Sequence, residues 1–443
     1  MKLLCNRLCP SILYHSNFSV PVKLMPQSAE LKHAIGWSLA TSRYHPTFLE
    51  ALEQRFPNKR IEISTHAFGN DMPLFLVGSA EHAMLVTWLN GDNWQEAISE
   101  LALIGSGFTA SPDVAGSNVE HLDILSPFAD GRQDKRTLKP VPDSTDFAIT
   151  KKQFVFTNAM ANIMHDVAGA RSFITVDFHS YDGAKSITNT GMELINLTIV
   201  PFFADEITRR GILGDNLETI VGTTDIGDLN RAVPMANYLN LPFAIVHKIS
   251  LASADGTDRK IVQKLIYGDP KGKRVILVDD MISSGKTMRE AVELYIALGA
   301  KEIIMCATHP VLIGDYYNNL KEILARPEVK LILTTNSLPL LERSSGSVSI
   351  PYVGTGVHQK RVEVLDIAPF VADAAYAILH ATSPEEPKRQ LGPYVWDMQN
   401  PYDLLANVTG ISMDRPRLIQ VYEGEGIYKP LPSQETIFSG KAT

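Results

Sequence analysis

The sequence predicts an α/β protein built mainly on parallel sheets, and two observations carry the prediction. Short apolar runs alternate with amphipathic stretches over most of the 443 residues, as strands joined by crossover helices do. Several runs, such as Val275-Ile276-Leu277-Val278, are apolar at consecutive positions, as strands covered on both faces are. Composition agrees: 45% apolar and 20% charged residues can bury a sizeable core. No run approaches the ~18 apolar residues of a membrane span. Forty-one Lys and Arg against forty-nine Asp and Glu leave a net charge of −8, which argues against a general nucleic-acid binder. Three cysteines exclude a disulfide scaffold and show no zinc spacing. A reducing compartment, the cytoplasm, is the expectation.

In chain order, residues 1–29 lack Asp and Glu but hold Lys2, Arg7 and Lys23. A transit peptide would be Arg-rich as well, so an ordinary first strand at Ser11–Tyr14 is expected. Further strands are expected at Met84–Leu89, Leu122–Ser126, Ser172–Phe178, Thr219–Gly222, Phe243–His247, Arg274–Val278, Glu302–Thr308, Leu331–Thr335 and Val362–Leu365. The clearest helix is Lys286–Gly299. Met288, Ala291, Val292, Tyr295 and Leu298 recur at three and four spacing, and Gly299 supplies the stop. Gly131–Asp146 is polar and charged and reads as a long loop. Ser383–Pro401, with Pro384, Pro387, Pro393 and Pro401, reads as a linker or meander into a tail without periodicity. Cys306 sits within an apolar strand and reads as packing.

The most informative segment is Arg274 to Thr287, RVILVDDMISSGKT. A buried strand ends in Asp279 and Asp280, then a loop of Ser, Gly, Lys and Thr opens a helix. Ligands of open α/β sheets bind at the carboxyl ends of strands. Loop N–H groups and a helix N-terminus favour phosphate, and Ser283, Ser284 and Thr287 add hydroxyl donors. The two carboxylates repel phosphate, but can accept hydrogen bonds from sugar hydroxyls or help hold magnesium. Gly285-Lys286-Thr287 imitates the end of a Walker A loop. That motif requires glycine at position 280, where Asp280 stands, so a P-loop nucleotidase is excluded.

This segment resembles the pentose-phosphate loop of type I phosphoribosyltransferases and of phosphoribosyl-pyrophosphate (PRPP) synthetases. Other segments favour the synthetases. Val176-Asp177-Phe178-His179 resembles their Asp-Leu-His segment. Thr224-Asp225-Ile226-Gly227, with Arg231 and Ala232 after it, resembles their Pro-Asp-x-Gly segment. Pro127 to Lys135 resembles their ATP-binding loop. Thr308-His309-Pro310, Thr335 to Leu340 and Val364 to Pro369 match the order of their late strands. The likeness runs from roughly Glu62 to Leu379. Most synthetases carry Asp where Ser283 stands and Gly where Lys286 stands. Lys248 is followed by Ile249-Ser250, and Arg259-Lys260 come later. With Phe68-Gly69-Asn70 upstream, that layout is more similar to the divergent plant-type class.

The resemblance implies two type I phosphoribosyltransferase-like domains, residues 1–170 and 171–380, and a C-terminal extension, 381–443. It implies diphosphoryl transfer from ATP to ribose 5-phosphate, giving AMP and PRPP. Asp279 and Asp280 would hold ribose hydroxyls, and Ser283, Ser284, Gly285, Lys286 and Thr287 the 5-phosphate. His179 and Asp225 would be Mg2+ ligands. Arg132, Gln133 and Asp134 would contact ATP, with Phe68 and Asn70 at the adenine of a neighbouring subunit in a homo-oligomer. Lys248 and Arg259 would supply cations from a mobile lid, Ile249–Lys260. The plainer readings are a core histidine, a solvated charged loop and an exposed strand-end lysine. Competing functions are a PRPP-consuming phosphoribosyltransferase, which needs about one domain of this size, and a non-catalytic regulatory paralogue.

Overall fold

The computed structural model describes residues 31–37, 45–57, 64–68, 72–76, 80–89, 94–109, 119–129, 138–140, 147–149, 156–252, 259–338, 361–383 and 385–411. The expected strand at Ser11–Tyr14 lies outside them, as do Asn70, Arg132, Gln133 and Asp134. For Phe68, Lys248 and Arg259 the description covers the backbone.

Five parallel strands form the first sheet: β1 (Leu31–Trp37), β4 (Ala80–Val86), β5 (Val119–Ser126), β8 (Ala170–Val176) and β9 (Glu193–Leu197), side by side in that order. Two short antiparallel hairpins branch from it, β2 (Ser64–Phe68) with β3 (Met72–Leu76), and β6 (Leu138–Pro140) with β7 (Phe147–Ile149). The second sheet contains β10 (Thr219–Thr223), β11 (Phe243–Ala252), β12 (Arg259–Tyr267), β13 (Arg274–Met281), β14 (Glu302–His309), β15 (Val329–Thr335) and β16 (Val362–Leu365). Its order is β12-β11-β10-β13-β14-β15-β16, parallel throughout except for the β11–β12 pair.

The helices are α1 (Pro46–Arg55), α2 (Trp94–Thr109), α3 (Phe156–Asn162), α4 (Tyr181–Thr188), α5 (Val200–Arg209) and α6 (Leu229–Leu239). After them come α7 (Lys286–Ala297), α8 (Tyr316–Ala325), α9 (Ala368–Leu379), α10 (Glu385–Leu391) and α11 (Pro401–Thr409). In β13 every residue is buried, and the faces divide by parity. Ile276 and Val278 enter an inner core, while Val275 and Leu277 pack on an outer layer that includes Met288, Val292 and Tyr295 of α7. The inner core also takes Val86, Leu125, Val176 and Leu197 from the first sheet, so one continuous apolar cluster joins the two sheets.

Several expectations are corrected. Lys248 and Ile249 to Ala252 continue β11, and Arg259 and Lys260 open β12, so the described ends of the expected lid are paired strands, with Lys248 opposite Gln263. Leu138–Pro140, inside the expected long loop, pairs with Phe147–Ile149. Two helices, α10 and α11, occupy the expected linker and tail. The first sheet runs on to Leu197, so a division at residues 170/171 would separate β8 and β9 from their own sheet. Helix α9 leans back on the first half: Arg55 pairs with Asp373 at 2.8 Å and lies over the Tyr376 ring.

Candidate active site

In the second sheet the chain passes from β10 outward to β11 and β12, then returns to β13 on the other side of β10. That reversal is a topological switch point, where open α/β sheets form a crevice beyond the strand ends. Thr224 and Asp225 follow β10 there, and Asp279 and Asp280 close β13. The carboxyl end of β8 meets them from the first sheet, with His179 Nδ1 2.7 Å from Asp280 Oδ2.

Three buried carboxylates, Asp228, Asp279 and Asp280, place one oxygen each within 4.8 Å of one another. Asp228 stands where it does because it closes a capping box: the Asp225 N–H donates to its Oδ2 at 3.0 Å, and the Ile226 N–H donates to Asp225 Oδ1 at 2.7 Å. The Thr224 hydroxyl lies 2.5 Å from Asp228 Oδ2 and 3.0 Å from Asp279 Oδ2. The Asp280 N–H donates to Asp279 Oδ1 at 2.8 Å. Buried Arg231 donates to the carbonyls of Asp177 and Phe178 at 3.1 and 2.7 Å, and its guanidinium lies 3.9 Å from Asp228. Asp177 holds a left-handed backbone, φ 40°, and its Oδ2 accepts from the Thr308 hydroxyl at 2.6 Å. Together Asp177, Thr308 and Arg231 tie the end of β8 to the second sheet.

The crowding separates the acids. Burial, then the charges of Asp228 and Asp280, push the Asp279 carboxyl well above the usual range. Burial also raises Asp228, to about 6. Asp280 resists the same burial because His179 and Arg231 hold it below the ordinary range. His179 is drawn down by its enclosure and up by Asp280, and the carboxylate prevails.

The loop after β13 turns at Gly285, φ +75°, a left-handed conformation natural to glycine. A Cβ there would stand 3.2 Å from Asn319 Cβ, and Asn319 Nδ2 donates to the Ser284 carbonyl at 2.8 Å. These contacts set the loop against α8 and aim the N-terminus of α7 past Ser283, Ser284 and Thr287. Lys286 is exposed, with Nζ 3.8 Å from Glu290.

The structure thus gathers His179, Asp225, Asp279, Asp280 and Ser283–Thr287 around one crevice, with the Lys248 backbone on neighbouring β11. Sequence reasoning did not single out Asp228, Thr224 or His247. Asp228 lies three residues after Asp225, a spacing that reads equally well as a helix cap.

The phosphoribosyl transferase domain family matches residues 227–315. Ribose-phosphate pyrophosphokinase 1 of Streptococcus pyogenes is 28% identical over 277 residues, 62% of this chain and 74% of that protein. The ribose-phosphate pyrophosphokinase of Aquifex aeolicus is 28% identical over 260 residues, 59% and 70% of the two chains. Among solved structures, a phosphoribosylpyrophosphate synthetase from Mycobacterium smegmatis shares the fold, with a TM-score of 0.54, 21% identity, and 79% of this chain and 99% of that one covered. The matched domain takes in the acidic strand end and the phosphate loop, and over about three fifths of its length the chain is similar to ribose-phosphate pyrophosphokinases (PRPP synthetases).

Proposed function

We propose that this protein transfers the β,γ-diphosphoryl group of ATP to the 1-hydroxyl of ribose 5-phosphate, giving PRPP and AMP. The observation that carries the reading is the meeting of three strand ends, β8, β10 and β13, at the switch point beside a helix-opening phosphate loop. The 5-phosphate would sit on Ser283–Thr287, and Asp279 and Asp280 would accept from the ribose hydroxyls. Lys248 of β11 and Arg259 of β12 would supply cations to the transferred group, as the family resemblance implies. ATP would be held by Arg132, Gln133 and Asp134, with Phe68 and Asn70 at the adenine, as the family resemblance implies. Such chemistry rests on positioning and charge neutralisation.

The donor set fits a hard divalent cation. Three buried carboxylates share one crevice with the guanidinium of Arg231, an excess of negative charge among the described residues that oxygen-seeking magnesium would offset. Asp225 and His179 would hold it, and it would supply charge neutralisation at the diphosphoryl oxygens. The ring nitrogen of His179 that faces Asp280 fixes the imidazole's orientation, leaving Nε2 as its ligand atom. The two halves would face one another across the site, and the protein would work as a cytoplasmic homo-oligomer. No described helix is long and apolar enough to cross a membrane.

Purified protein incubated with ribose 5-phosphate, ATP and Mg2+ should release AMP and PRPP in equal amounts on ion-exchange chromatography. ADP with a bisphosphorylated sugar would mean an ordinary kinase. Absence of turnover by folded protein would mean a regulatory paralogue.

A further inference from the structure

Directly before Lys248, in β11, stands a histidine that the family resemblance leaves without a role. His247 is buried, 8% exposed. Its Nδ1 has no hydrogen-bond partner among the described residues and lies 3.7 Å from Asp225 Oδ1. That is beyond hydrogen-bond range, yet the atom is enclosed and faces the carboxylate. A buried polar atom left unpaired is costly. Its retention beside a candidate cation ligand points to a contact completed when the site is loaded.

The surroundings hold His247 in this orientation. A register shift between Ile245 and Val246 interrupts the pairing with β12 immediately before it, and such bulges re-aim side chains next to sites. The Thr223 hydroxyl accepts from the Val246 N–H at 3.0 Å and ties β11 to β10 at the same level. Tyr402 of α11 meets the imidazole edge-on, ring centroids 6.4 Å apart. Leu404 and Leu405 of the same helix pack with Ile226 and Ile245, which flank Asp225 and His247. Helix α11 therefore backs both residues at once.

We propose that His247 is a positioning residue for Asp225. On this reading, which rests on the proposed function, its Nδ1–H donates to Asp225 Oδ1 when a divalent cation occupies the crevice. With the Ile226 N–H already on the same oxygen at 2.7 Å, two donors would then grip one side of the carboxylate and fix the orientation of the other oxygen toward the cation. Partners of this kind behind a ligating carboxylate typically govern metal affinity by about 10–100-fold.

The test measures Mn2+ binding by electron paramagnetic resonance, without nucleotide or turnover, and ribose 5-phosphate binding by titration calorimetry. His247→Leu should weaken Mn2+ binding about 10–100-fold and leave sugar-phosphate binding unchanged. His247→Asn, which keeps a donor near the Nδ1 position, should restore most of the affinity. In an Asp225→Asn background, His247→Leu should add little, because the pair acts through one carboxylate. Wild-type Mn2+ affinity in His247→Leu overturns the proposal. So does equal weakness of the Leu and Asn variants, which would mark the imidazole as packing. A wild-type protein that makes no PRPP yet shows the expected pattern supports this inference and overturns the proposed activity.

Discussion

Asp123 shows how single residues are committed away from the crevice. It is fully buried in β5, with Oδ2 2.6 Å from His82 Nε2 and 3.2 Å from the Arg171 guanidinium, and Oδ1 accepting from the Ser172 hydroxyl at 2.7 Å. Burial works to raise its pKa, but the hydrogen bond and charge of His82, with Arg171 and Ser172, hold it below the ordinary 3.8. Because folding lowers this pKa, the stabilisation is complete above the ordinary value of 3.8 and is lost as pH falls through the folded-state value. Asp123→Asn should therefore cost about 3 kcal/mol near pH 7, as breaking a buried charged pair does, and should cost progressively less in acid. Urea midpoints across a pH series check this. A difference that is constant with pH would contradict it. The cluster at the crevice follows the same physics with the opposite outcome at Asp279 and Asp228, where burial outweighs the opposing charge of Arg231.

At the scale of elements, α11 is the least expected and the most consequential. Its Leu405 is fully buried with Ile226, Leu229, Val233 and Ile245, on the back of the turn that carries Asp225 and Asp228. Trp396, between α10 and α11, donates from its backbone N–H to the Asn196 carbonyl at 3.0 Å, and the Asn230 side chain donates to the Gln399 carbonyl at 2.9 Å. The segment thus binds both sheets. Leu405→Ala should destabilise the protein by about 2–5 kcal/mol, the cost of a core cavity, whereas Leu405→Met should cost less than about 1.5 kcal/mol. Equilibrium urea unfolding distinguishes them. A neutral Leu405→Ala would mean that α11 is dispensable to the core. The helix escaped sequence reasoning because its nine residues run only from Pro401 to Thr409, with Gly410 as the cap, too short for a periodic pattern to emerge beside four prolines. The β11–β12 pair escaped for another reason. Its polar, cationic residues read as lid chemistry, although Ile249, Ile261 and Leu265 mark its strands.

For the whole molecule, the two sheets do not behave as separate cores. Trp88 after β4 donates from its indole to the Ser337 carbonyl at 2.9 Å, and His309 of β14 reaches the Val176 carbonyl at 2.9 Å. With Asp177–Thr308, Arg231–Phe178 and one shared apolar cluster, these bonds should make unfolding of both halves a single event. Tryptophan fluorescence and far-ultraviolet circular dichroism should report coincident urea transitions. Two resolved transitions would show that the halves are independent.

What the sequence determined by itself is local. The apolar run of β13, its two terminal acids and the glycine that turns the loop need nothing beyond neighbouring residues, and the period of α7 follows from the same stretch. The order of these segments was enough to suggest the family. What the tertiary structure decided is convergence. Asp228 reads as a helix cap until β10 and β13 lie side by side. His179 reads as a residue after a strand until the first sheet sets it 2.7 Å from Asp280. His247 has no distinguishing spacing, because its meaning lies in an enclosed nitrogen aimed at Asp225 from a different strand. A crevice at a switch point is made by strands far apart in the chain, and no window of sequence contains the distances between them.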